Sequence, residues 1–176
     1  SIVIFAAFVV IAFMKNADHA RELAKNMVAV GARMNTPVAA LISRMDAPLG
    51  RCIGNALEVK ESIEFLQGKV HGPLWEVTRE LTATMIQLSH QKTSLENARK
   101  QVDEALESGK GLEIFRRMVS AQGGDPAVCD DPENVLKKTA DVQKVLSEQE
   151  GYISDIDAEA FGRAVLVLGG GRRRSD

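Results

Sequence analysis

The chain has 176 residues, 45% of them hydrophobic, enough to build a core of ordinary size in one domain. Twenty-two basic residues against 24 acidic ones leave a formal charge of −2, so no overall attraction to nucleic acid or to an anionic membrane is implied. The two cysteines, Cys52 and Cys129, are far apart and have neither zinc-site spacing nor the density of a disulfide scaffold, which suits a reducing, cytoplasmic setting.

The chain opens on an apolar run, Ile2 to Met14, without a charged or polar side chain. It falls short of the roughly 20 residues a helical membrane span needs, and it lacks the basic start and small-residue cleavage site of a signal peptide. Its Val, Ile and Phe content predicts a fully buried strand of a parallel sheet. A chain starting inside a core strand is expected to be a piece that has lost its beginning.

Asn16 is a helix cap ahead of Ala20, Leu23, Ala24, Met27 and Val28, with Gly31 expected to end the helix. Pro37 to Ile42, short and apolar, reads as a second buried strand, so that strand, helix and strand form a right-handed parallel crossover. The segment Met45 to Glu61 follows directly, at the carboxyl end of a strand, where open α/β sheets place their ligands. Pro48, Gly50 and Gly54 bend it tightly, and a helix from Asn55 projects Glu58 and Glu61. Such a turn can aim carbonyl oxygens at a nearby carboxylate and form an oxygen pocket for a hard cation. The same residues also make an ordinary corner into a capped helix, in which Glu61 gains from the macrodipole without any metal. The residues alone leave both readings open.

Ala56, Val59, Ile63 and Leu66 predict a helix ended by Gly68, and Val77, Leu81, Met85 and Leu88 a second one from Leu74. Thr93 and Glu96 have capping-box spacing before a helix that runs through Ala98, Val102 and Leu106 to Gly109. Leu112, Phe115, Met118 and Val119 mark another, stopped by Gly123 to Pro126. Asp130 to Glu150 reads as a meandering connection with a helix start at Asp131-Pro132. Gly151 to Ile156 is expected to be a strand, and Asp157 to cap a last helix that ends at Gly169.

The three histidines, His19, His71 and His90, sit in separate elements without metal-site spacing and read as surface residues. No histidine flanks either cysteine, so neither reads as a nucleophile. Gly169 to Arg174 could hold an anion, but glycines after a helix are more often its cap. Trp75 reads as packing.

From Phe13 onward the chain resembles the thymidine phosphorylase and pyrimidine-nucleoside phosphorylase family. The matching stretches are Ala12 to Lys15, Pro48-Leu49-Gly50, Gly54-Asn55-Ala56-Leu57-Glu58-Val59, Ala121-Gln122-Gly123-Gly124 and Leu168 to Arg172. Pro48 to Cys52 leans toward the animal thymidine phosphorylases. The resemblance implies an α/β fold, with an incomplete parallel or mixed sheet and many helices. Residues 1–150 would be the central part of the large α/β domain, and 151–176 the start of a C-terminal α+β portion. It implies a cytoplasmic, homodimeric parent that cleaves thymidine with phosphate to thymine and 2-deoxy-D-ribose 1-phosphate, with no organic cofactor and no nucleic-acid or membrane partner.

The family's phosphate loop and its pyrimidine-holding arginine, serine and lysine lie upstream of the matched stretches, so the resemblance assigns no catalytic residue here and implies that this chain alone is inactive. It does imply a potassium site at Leu49, Cys52 and Glu61, the first two through main-chain oxygens, and a base-pocket wall at Phe13. Phe5 to Val10 depart from the family, which has an aspartate, a valine and a lysine followed by glycine there. A non-catalytic α/β module that works through partners is the reading of a different class. An upstream lysine-histidine-serine glycine loop would discriminate between the two.

Overall fold

The computed structural model describes residues 16–44, 46–90, 92–137 and 141–170. The predicted strand at 2–14, Phe13 and the Gly171 to Arg174 end of the glycine-arginine run lie outside the described residues. The chain divides into two compact units.

The first unit holds described residues 16–43 and 76–104. Helix α1 spans Ala17–Arg33, and the Asn16 side chain caps it by accepting the Asp18 N–H at 2.7 Å. Gly31 does not end α1, as its type had suggested. The helix runs on to Arg33, and Asn35 takes the left-handed conformation instead, φ 53°. Thr36 N–H then donates to the Gly31 carbonyl at 2.9 Å and Asn35 N–H to that of Ala32 at 3.1 Å, a Schellman cap with asparagine in the glycine position. Gly31 is small for another reason: a Cβ there would lie 2.3 Å from Val38 Cγ2.

The chain after this cap, 37–44, has no regular secondary structure and forms no ladder with any described residue. A strand is defined by its partner, and the neighbour expected for it is the undescribed 2–14 segment. Ala24, Val28 and Ala32 of α1 line a shallow cleft with Ala40 and Ile42, so the apolar side of the helix and the 37–44 segment face one space.

Residues 76–104, most of helix α3 (Pro73–Ser89) and of helix α4 (Leu95–Glu107), supply the rest of this unit. Small or branched apolar residues, Ala83, Ala98 and Val102, are buried there. Arg79 makes a two-pronged pair with Asp103, one prong at 2.6 Å, and Arg99 pairs with Glu80 through two bonds of 2.7 Å. The N-terminus of α4 is capped by Ser94, whose hydroxyl accepts the Asn97 N–H at 3.2 Å, one residue later than the Thr93 capping box predicts.

The second unit holds described residues 44–75 and 105–170. Helix α2 (Asn55–Leu66) packs on α5 (Lys110–Ala121) and on α6, a single turn at Pro132–Val135. A 3-10 turn, Pro126–Cys129, lies between α5 and α6 and is capped by the Asp125 side chain. Ile63, Val128 and Cys129 form the buried centre, with Val59, Leu112, Phe115, Val119, Val135 and Leu136 packed around them. Arg116 locks the 3-10 turn, donating to the Pro126 carbonyl at 3.1 Å and to both Asp130 oxygens at 2.7 Å. Trp75 is a packing residue, its ring 5.6 Å from that of Phe65.

The expected strand at Gly151 to Ile156 is irregular chain, with Tyr152 and Ile153 exposed. No described segment pairs with these residues, so the stretch has no ladder to join. Helix α7 (Ala158–Val167) begins as predicted at Asp157, whose side chain accepts the Ala160 N–H at 2.9 Å.

Candidate functional site

The bend from Pro48 to Gly54 delivers the chain to the start of α2, and α2 returns a carboxylate to it. Ile63 faces the core and is fully buried, which fixes the rotation of the helix. Glu61, two residues earlier, is thereby turned to the inner side of the bend and is only 7% exposed. Its Oε1 accepts the Arg51 N–H at 2.8 Å and its Oε2 the Cys52 N–H at 3.3 Å. Gly50 leaves room for this: a Cβ there would stand 2.3 Å from Glu61 Oε2. Glu58 is exposed.

Of the three residues implied as cation ligands, Cys52 and Glu61 are thus held together directly, while Leu49, next to Gly50, is 43% exposed. Peptide planarity sorts the carbonyl groups of the bend. In a trans peptide the N–H and C=O point in opposite directions, and no cis bond occurs among the described residues. Because the Arg51 and Cys52 N–H groups face Glu61, the carbonyls of Gly50 and Arg51 point away from it. Those of Leu49 and Cys52 belong to the flanking peptides and are not committed by these bonds.

The chemistry of this donor set fits a hard cation such as potassium, with one buried carboxylate and uncommitted carbonyl oxygens. The Cys52 thiol contributes nothing to it. Burial pushes that thiol up, and the neighbouring negative charge of Glu61 pushes it further, so it stays protonated. Among the described residues no three His, Cys, Asp or Glu side chains converge to hold a metal. His19, His71 and His90 are exposed.

One contact at this bend was not visible in the sequence. The Asn55 N–H, at the first turn of α2, donates to the carbonyl of Gly170 at 3.0 Å. Gly169 and Gly170 cap α7, with the Gly170 N–H bonded to the Val165 carbonyl at 2.9 Å, as expected for glycines that follow a helix. That cap also seats the end of α7 on Gly54, so two of the motif stretches, Gly54 to Val59 and the one around Leu168 to Gly170, meet at a single point.

Comparison with known proteins agrees with these motifs. The chain is 41% identical over 161 residues to a pyrimidine-nucleoside phosphorylase of Geobacillus stearothermophilus, covering 92% of this chain and 37% of that protein. It is 39% identical over 165 residues to that of Staphylococcus epidermidis, covering 94% of this chain and 38% of the relative. The Bacillus subtilis enzyme of the same name is 39% identical over 161 residues, 92% of this chain and 37% of that protein. The chain therefore spans well under half the length of these relatives. Residues 5–112 match the family described as "Glycosyl transferase family, a/b domain", which sets the α/β class although no strand is present among the described residues. The chain belongs to this glycosyl transferase family, through its a/b domain.

Proposed function

We propose that this chain is part of a pyrimidine-nucleoside phosphorylase that cleaves thymidine with phosphate, giving thymine and 2-deoxy-D-ribose 1-phosphate. The observation that carries the reading is the 39–41% identity to enzymes of that name over more than nine-tenths of this chain. In this reaction phosphate attacks the anomeric carbon, positive charge builds on the sugar, and the base leaves with the bond electrons. Both substrates must be held across a cleft, since proximity and placed charge supply most of the rate.

The share of this chain in that work is support and positioning. Glu61 and the carbonyl oxygens of Leu49 and Cys52 would hold potassium, as half of a site completed by the family's phosphate loop. Potassium, when bound, supplies positive charge that ties the bend to that loop. Phe13 is proposed as a wall of the base pocket. Residues 1–150 form the central part of the α/β domain and 151–176 begin its C-terminal α+β portion. A parallel or mixed sheet is proposed on the match to an a/b domain family. The protein is read as a cytoplasmic homodimer. Among the described residues no helix is long and apolar enough to cross a membrane.

The test is thymine release from thymidine in phosphate buffer by the protein in which this chain continues into the family's phosphate loop. Absence of release with both substrates saturating would sink the enzyme reading. The 176-residue chain by itself is expected to show no turnover. A potassium titration of the longer protein and its Glu61→Gln variant tests the site: an unchanged potassium dependence would leave the bend structural only.

A further inference from the structure

We propose that Gly170 is a positioning residue for the bend at 48–54, so that the end of α7 sets the geometry of the candidate cation ligands. The first N–H groups of a helix have no acceptor within it. At α2 the usual remedy is missing, because the cap position is Gly54, which has no side chain to accept a hydrogen bond. The Gly170 carbonyl satisfies another of these donors, the Asn55 N–H directly after the cap. It can do so only at backbone contact distance: a Cβ on Gly170 would lie 3.9 Å from Gly54 Cα and 2.9 Å from Val165 Cγ1. Val165 lies against both glycines, with its Cγ1 3.5 Å from where a Cβ on Gly54 would stand.

Displacement is transmitted in both directions along the chain from this point. Toward the C-terminus, α2 carries Glu61, whose carboxylate holds the Arg51 and Cys52 amides. Toward the N-terminus, Gly54 adjoins the same bend, with φ at 121°, a conformation that side chains rarely adopt. The helix start and the carboxylate therefore close one loop of contacts, and Gly170 is its external anchor. The consequence for cation binding rests on the reading proposed above, whereas the coupling of α7 to the bend does not.

Hydrogen exchange of single amides in the full chain tests it, using Gly170→Ala and the double variant Val165→Ala/Gly170→Ala. Alanine at 170 needs no unusual φ, so its effect comes from the clash with Val165 Cγ1, which is branched at Cβ and cannot rotate away freely in a helix. Exchange at Asn55, Arg51 and Cys52 should quicken on the order of tenfold in Gly170→Ala, the scale of one lost hydrogen bond. The amides of Ile63 and Cys129, in the core of the same unit, should stay within about twofold. Trimming Val165 in the double variant should restore slow exchange.

Unchanged rates at Arg51 and Cys52, a rise shared equally by the core amides, or failure of the double variant to restore protection would each overturn the proposal. The rates are measured in sodium chloride and again in potassium chloride at equal ionic strength. If potassium does not slow exchange at Arg51 and Cys52 in the longer protein that also carries the family's phosphate loop, the cation reading fails. The coupling is still judged on the sodium series alone.

Discussion

Gly50→Ala isolates the contact at the centre of the bend. Gly50 needs no left-handed backbone, so alanine adds only a methyl group, placed 2.3 Å from Glu61 Oε2 and 3.0 Å from its Cδ. Two heavy atoms cannot share that space, and the carboxylate must leave. It then gives up the Arg51 and Cys52 N–H bonds. Hydrogen bonds to a charged acceptor contribute about 1.5–3 kcal/mol each. Glu61 lies near enough to the surface to reach water after eviction, so the lower figure applies to both. Alanine also restricts the unfolded chain, which offsets about 0.4–1 kcal/mol. The net expectation is a loss of about 2–3 kcal/mol, a fall in melting temperature of roughly 5–10 °C for a chain of this size.

Urea unfolding followed by the fluorescence of the single tryptophan, Trp75, reports on the unit that holds the bend. The midpoint should fall by about 1 M with an unchanged slope. The decisive measurement is the same substitution in a Glu61→Ala background, where the methyl group meets no carboxylate. There Gly50→Ala should cost less than about 0.5 kcal/mol, a coupling of about 2 kcal/mol between the two sites. An equal cost in both backgrounds would refute the clash as the cause.

Three further outcomes are expected. Gly31→Ala, which in an ordinary helix interior stabilises by about 1 kcal/mol, should instead destabilise by about 1–3 kcal/mol, because its methyl group meets Val38 Cγ2 at 2.3 Å and the Thr36 carbonyl at 2.9 Å; a gain in thermal stability would contradict this packing. Ser94→Ala should cost about 1 kcal/mol through loss of the α4 cap while Thr93→Ala stays within about 0.5 kcal/mol, measured by denaturant midpoints; the reverse order would restore Thr93 as the cap. Hydrogen bonds from Arg99 and Arg79 hold the Glu80 and Asp103 carboxyls below their usual range. A depressed folded pKa stabilises above the unfolded value and is lost as pH falls through the folded one. Protection of the Ala83 and Ala98 amides should therefore fall as the pH drops below about 4.5, the top of the unfolded carboxylate range, and by less in Arg79→Ala/Arg99→Ala. The effect is small because these side chains are about one-third exposed, and equal pH slopes in the two proteins would refute it.

What the sequence alone determined is local. Asn16 and Asp157 cap their helices where the residue pattern places them, and the apolar spacing in α2, α3, α4 and α5 locates each helix, because 3.6-residue periodicity and side-chain capping act over a few neighbours. The motif around Pro48 to Glu61 was legible for the same reason: Glu61 and the amide it holds at Arg51 are ten residues apart, within one bend and the helix that follows it.

Where a residue type has more than one use, local pattern was insufficient. Gly31 has the residue type of a terminator but serves a close approach to Val38, and Asn35 is the terminator. The stretch 151–156 carries β-branched and aromatic residues that suit a strand, but a strand exists only with a partner to complete its ladder, and none is present among the described residues. The tertiary structure alone decided that the glycine cap of α7 meets the N-terminus of α2. That contact joins backbone atoms from opposite ends of the second unit and leaves no mark in the local sequence beyond two glycines, whose ordinary use as a helix cap also holds.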